Sequence, residues 1–318
     1  MHRLRLAVFG AVAVAVLGVS GAVASDSGEH GRVQSMPPLT SSRPTGAGPA
    51  ATTTANLSYR GGTGGVGVET TPKVYVVYWG SGWASDPSGE APYLNNFLAG
   101  LGSNSGEAWS KSTTQFCQGI PAGSSDCSAA GAQVIAQPGS AFAAAWFDTS
   151  FAPSHPKQRD LANEAVRAAA HFGNMNQSAN ANAQYVVATA HGRNASGFGT
   201  QYCAWHSSVS SAYGNVAYTN LPYITDAGAS CGQNFVNYGS AGLLDGVSIV
   251  EGHEYAETVT DQYPSFGWLD SGGSENADKC AWIRSGQGAA GNITLNGKAF
   301  AVQSLWSNVT TNCVMSYP

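Results

Sequence analysis

"GLLDGVSIVEGHEYAETVTD", residues 242–261, decides how the chain folds and what its chemistry is built on. It reads as one helix. Positions i and i+4 of an α-helix lie about 40° apart around the axis, so His253 and Glu257 point the same way and can reach one ion. Glu254 stands about 100° further round. In metallopeptidase helices of the HExxH type, two histidines bind the metal and the adjacent glutamate is the general base on its water. Here a glutamate fills the second ligand position. Its carboxylate oxygen coordinates Zn²⁺ at about 2.0–2.2 Å, much as imidazole nitrogen does. The extra anion should make the bound water less acidic, and would admit Ca²⁺ or Mn²⁺ more readily than two histidines would.

A third ligand is expected downstream in "SENADKCAW", where Glu275 and Asp278 stand about twenty residues beyond the helix motif. A helix, a loop and a carboxylate in that order resemble the arrangement of thermolysin-like zinc peptidases. Cys280 would anchor the loop. Asp261, at i+8 from His253, is a lesser candidate. His206, in "QYCAWHSS" at the end of an expected strand, is a candidate ligand or transition-state stabiliser, with a satisfied structural histidine as the plain alternative. The plain alternative for HExxE is a solvated helix. On the metal reading, His253, Glu257, Asp278 and Glu275 are the ligand candidates, and Glu254 and His206 the catalytic ones. Zn²⁺ is the expected ion, with Ca²⁺ or another divalent ion as the alternative.

Outward from the helix, the rest of the chain reads as alternating elements. "PKVYVVYWGSGW" (72–83) is the clearest strand, and "AQYVVATA" (183–190) and "GNVAYTNLPYI" (214–224) are two more. Residues 92–102 and 155–173 read as helices, the second stopped by Gly173. "NITLNGKAFAVQSLWS" (292–307) turns at Asn296-Gly297, a strong hairpin signal. The expectation is a single mixed-sheet α/β (α+β) domain over 69–318, layered and not doubly wound, stabilised by disulfides. The tryptophans at 79, 83, 205, 268 and 306 read as core. With no GxGxxG, P-loop or GxSxG, neither a nucleotide cofactor nor a serine nucleophile is indicated.

Residues 1–24 have the layout of a signal peptide: a basic start, an apolar run from Leu6 to Val19, and small residues ending at Ala24. Residues 25–68, rich in Ser, Thr, Pro, Gly and Ala, read as a flexible leader. An exported chain with six cysteines suggests disulfides, and pairing Cys117–Cys127, Cys203–Cys231 and Cys280–Cys313 closes the shortest loops. Only 10% of residues are charged, against about 25% in ordinary domains. Losing Arg3 and Arg5 from 14 basic residues, against 19 acidic ones, leaves a formal −7. That gives no electrostatic footprint for nucleic acid or an anionic membrane, and no later stretch is long enough to span one. The expected partner is an extracellular peptide or protein, or a cell-wall polymer.

"KVYVVYWGSGW", "QYCAWHSS", "GVSIVEGHEYAETVTD", "ENADKC" and "FAVQSLWSNVTTNCV" occur in an order that resembles the plant EXORDIUM / phosphate-induced protein 1 family, and more closely its secreted bacterial relatives. The resemblance covers roughly residues 72–315. It implies that His206, His253, Glu254, Glu257, Glu275 and Asp278 form one site in an extracellular protein linked to growth signalling, and it assigns no reaction. Asp261 departs from the plant pattern, which tends to Asn. Plant members also carry extra cysteines near the segment matching Cys203.

Three readings follow. The first is an exported metal-dependent hydrolase of the zinc-peptidase kind. The second is a non-enzymatic binding or signalling protein with a structural metal clip. The third is a carbohydrate-active wall protein.

Overall fold

A computed structural model describes residues 31–39 and 55–317; the expected signal peptide lies outside them. In chain order the strands and helices are β1 (Gln34–Met36), β2 (Ser58–Tyr59), β3 (Lys73–Trp79), α1 (Glu90–Gly100), β4 (Cys117–Gln118), β5 (Gln133–Val134), β6 (Phe142–Asp148), α2 (Gln158–His171), α3 (Gln177–Asn180), β7 (Ala183–Thr189), β8 (Ala204–Ser211), β9 (Gly214–Leu221), α4 (Asp245–Thr260), β10 (Trp268–Leu269), β11 (Gly291–Leu295), β12 (Lys298–Val302), β13 (Leu305–Ser307) and β14 (Asn312–Val314).

A mixed six-stranded sheet in the order β1-β8-β9-β7-β3-β6 forms the centre of this α/β fold. β9, β7, β3 and β6 run parallel, while β8 pairs antiparallel with β9 and β1 with β8. Val76 sits opposite Val186 and Ala145, and this β-branched centre is covered on both faces. On one face Val74, Val76, Tyr78 and Val186 pack with Leu94, Phe97 and Leu98 of α1 and with α4. On the other, Val77, Tyr185 and Val187 pack with Leu161, Ala165 and Ala169 of α2. The β3-α1-β6-α2-β7 run is therefore wound on both faces, which the sequence reading did not expect. The reason is β6, "FAAAWFD", whose alanines have low strand propensity. It is held as an edge strand by its pairing with β3.

The segment expected as leader differs from that expectation over 31–39 and 55–68. β1 adds a strand to the open edge of β8, β2 pairs with β10, and Leu57, Tyr59 and Val68 are buried. Trp282 Nε1 donates to the Pro37 carbonyl at 2.7 Å. A segment poor in apolar residues can be ordered this way, because strand addition draws on backbone hydrogen bonds.

α4 lies between the sheet and the β11–β12 hairpin, and all its residues are buried. Ser248 Oγ donates to the Ala301 carbonyl at 2.6 Å on the hairpin side. Gly246 allows the close approach near its start, since a Cβ there would stand 2.1 Å from the Cys231 carbonyl oxygen. The hairpin turns at Asn296 (φ 48°) and Gly297 (φ 79°), both left-handed as a type I′ turn requires. Disulfides join Cys117 to Cys127, Cys203 to Cys231 and Cys280 to Cys313. Among the described residues, no helix is long and apolar enough to cross a membrane.

Candidate metal centre

A helix covered on all sides is normally apolar all round. α4 instead buries Glu251, His253, Glu254 and Glu257, each with no exposed surface. One turn apart, His253 and Glu257 meet as the helical spacing predicts, with His253 Nε2 3.0 Å from Glu257 Oε1. Asp278 arrives from the 275–280 loop, its Oδ1 3.8 Å from the same nitrogen. Three contacts pin that loop to the helix and core. The Asp278 amide donates to Glu257 Oε1 at 3.0 Å, Asn276 Nδ2 donates to the Ala256 carbonyl at 3.3 Å, and Cys280 is tied to Cys313.

Gln303, at the end of β12, orients the His253 ring. Its Nε2 donates to the carbonyls of Ala277 (2.8 Å) and Ser304 (3.2 Å), which leaves Oε1 facing His253 Nδ1 at 3.1 Å. Nδ1 therefore carries the donated hydrogen, and Nε2 is turned toward Glu257 and Asp278. Holding the far ring nitrogen in this way is how proteins aim a metal-binding histidine. Nothing in the sequence around Gln303 pointed to this role, because the contact crosses from hairpin to helix.

His206, on β8, faces α4 from the sheet. Its Nε2 lies 3.1 Å from Glu275 Oε2 and 3.6 Å from Glu257 Oε2. The candidates thus form two sets that share Glu257: His253, Glu257 and Asp278, and His206, Glu254 and Glu257, with ligand atoms inside each set within 4.8 Å of one another. Glu254, expected as a base beside the ion, is within reach as a ligand. Two ligands of a tetrahedral ion with bonds of about 2.0–2.2 Å stand roughly 3.3–3.6 Å apart, and the histidine–carboxylate separations bracket that value. Asp261 accepts the amides of Ser265, Phe266 and Gly267, at 2.7, 3.0 and 2.5 Å, which shapes the turn after α4, and its carboxyl also meets that of Glu275 at the border of the centre.

The electrostatics are unbalanced without a cation. Both carboxylate oxygens of Glu254 and of Glu251, Oε2 of Glu257 and Oε1 of Glu275 are buried with no hydrogen-bond partner among the described residues. Burying an isolated carboxylate costs so much that the group must pair, bind a cation or take up a proton. Burial holds Glu254 and Glu275 well above the usual carboxylate range, and pushes Asp278, with the help of Glu257, up to about 7. Burial would do the same to Glu257, but His253 and His206 outweigh it and keep Glu257 low. The His253 ring would be lowered by burial, yet Glu257, Glu254 and Asp278 raise it to about 10. Burial brings His206 down to about 4, against the pull of Glu257, so its imidazole is neutral at pH 7, the form that binds metals. Lys279, also buried, pairs with Asp270 at 3.0 Å.

All these donors are sealed from solvent except Asp278, whose side chain is 24% exposed. Access to the centre is therefore from the Asp278 edge. Comparison with known proteins adds no relative: no family model matches the chain, and neither does a curated protein or a solved structure.

Proposed function

We propose that the chain is an exported metal-dependent hydrolase, with a peptide bond as the substrate class and His253, Glu257 and Asp278 holding a zinc-type ion. The observation that carries the reading is the set of buried, partnerless carboxylate oxygens converging on His253 and His206. The donor chemistry favours catalysis over a structural clip. Structural zinc sites are closed and rich in cysteine, whereas catalytic ones use histidine and carboxylate and keep a position for water. All six cysteines here are in disulfides. An imidazole ligand also argues for zinc, manganese or iron over calcium, which prefers six to eight oxygens. The ion would supply an acidified water and polarise the scissile carbonyl. Glu254 is the partnerless carboxylate beside it, and His206 the neutral imidazole facing the sheet side. The resemblance to EXORDIUM-like proteins and the three disulfides support an extracellular setting.

The burial of every donor but Asp278 favours a second reading, a structural metal clip in a binding or signalling protein. Incubating the purified protein with denatured protein substrates, with and without a chelator, separates the two. The hydrolase reading expects cleavage that chelation abolishes and Glu254→Gln removes. Cleavage that survives the chelator, or its absence in metal-loaded protein, would sink it. In the second case, a melting temperature that falls on chelation would establish the clip.

A further inference from the structure

We infer that the centre binds two divalent ions, with Glu257 as the carboxylate bridge between them. The inference rests on the metal-dependent reading above and concerns the number of ions, which that reading leaves at one.

The geometry on Glu257 carries it. One oxygen, Oε1, faces His253 Nε2 at 3.0 Å, and the other, Oε2, faces His206 Nε2 at 3.6 Å. A carboxylate whose two oxygens face two imidazoles on different elements has the placement of a bridge. In two-metal hydrolytic sites the ions stand about 3.5–4 Å apart. Each histidine brings a second carboxylate of its own: Asp278 Oδ1 lies 3.8 Å from His253 Nε2, and Glu275 Oε2 lies 3.1 Å from His206 Nε2. Glu254 completes the His206 set.

One ion leaves this arrangement incomplete. Placed among His253, Glu257 Oε1 and Asp278, it does not coordinate Glu257 Oε2 or His206. It also leaves buried oxygens of Glu254 and Glu275 without a partner. The charge count points the same way. Glu254, Glu257, Glu275 and Asp278 are four carboxylates around two imidazoles. With these four carboxylates ionised, one divalent ion would leave about two negative charges in a buried centre, and two would neutralise them. The mixed nitrogen and oxygen donors suit zinc, manganese, iron or cobalt.

The full mature chain is stripped with chelator, loaded with Zn²⁺, desalted and analysed by elemental mass spectrometry, beside His206→Ala and His253→Ala. Expected contents are two zinc per chain in the wild type and one in each variant. One zinc in the wild type, kept in His206→Ala and lost in His253→Ala, overturns the second site and leaves the hydrolase reading standing. No zinc in folded wild-type protein overturns both. Since a variant can fail to fold, Co²⁺-loaded wild type is also examined by electron paramagnetic resonance. A coupled pair loses the isolated high-spin Co²⁺ signal as the second equivalent binds; an additive isolated signal overturns the bridge.

Discussion

His253 and His206 meet the same side chain from opposite sides, His253 reaching one oxygen of Glu257 at 3.0 Å and His206 the other at 3.6 Å. Glu257 is therefore the group whose loss disturbs the whole centre. Glu257→Gln removes the negative charge and replaces one carboxylate oxygen by an amide nitrogen, which cannot bind a cation. It should release most of the bound metal and abolish hydrolysis, and loss of one partner leaves the buried histidines and carboxylates uncompensated. Metal content and turnover of the purified variant check this. Full metal retention would remove Glu257 from the ligand set.

Gln303 tests the aiming of the ring independently of the ligands. Gln303→Met keeps the volume but loses the acceptor on His253 Nδ1. Metal affinity should fall by about 10–100-fold, the usual consequence of losing such a partner. Competition against a chromophoric chelator measures it. The amide also bonds two carbonyls, so the thermal midpoint should be recorded alongside.

The 275–280 loop carries two candidate ligands and is tied down by Cys280–Cys313, 33 residues apart in sequence. Replacing both cysteines by serine should cost about 3 kcal/mol of stability. It should also weaken metal binding, whereas removing Cys117–Cys127, which carries no ligand loop, should not. Urea melts with metal titrations of both variants make the comparison.

Gly246 and Gly297 separate crowding from backbone strain. A Cβ at Gly246 would meet the Cys231 backbone, held by its disulfide to Cys203. Overpacking of this kind costs about 1–3 kcal/mol. Gly297 is in open space but at φ +79°, so alanine there should cost about 1–2 kcal/mol from conformation alone. Urea denaturation should rank Gly246→Ala as the more damaging, with reduced metal content only in that variant.

Away from the centre, Glu69 links stability to pH. Burial pushes its carboxyl from 4.5 up to about 8, partly offset by the hydrogen bond from Gln184. A group whose folded value is raised binds its proton more tightly when folded. Its stabilising contribution is thus complete below pH 4.5 and is lost as pH rises through about 8. Glu69→Gln should flatten that part of the melting-temperature profile and melt higher than the wild type at pH 8. An unchanged slope between pH 5 and 8 would show that Glu69 is not its source.

Features that depend on neighbours along the chain could be read directly from the residues. The i, i+4 spacing of His253 and Glu257, the stop at Gly173 and the Asn296-Gly297 turn are short-range facts, and each is where the residues indicated. The disulfide pairing followed from loop length. Local signals could not reveal β1 or β6, whose order comes from pairing with β8 and β3 and not from their own composition. The site divides the same way. Its helix was legible, but the facing of His206 to Glu257 required the register of β8 and the packing of α4 over it. Gln303 behind His253 required the hairpin to close on the other side. Total burial of the helix also belongs to tertiary structure alone, since only a layer on each side removes water from its acidic residues. That desolvation turns a string of glutamates, harmless on a solvated helix, into a site that calls for cations.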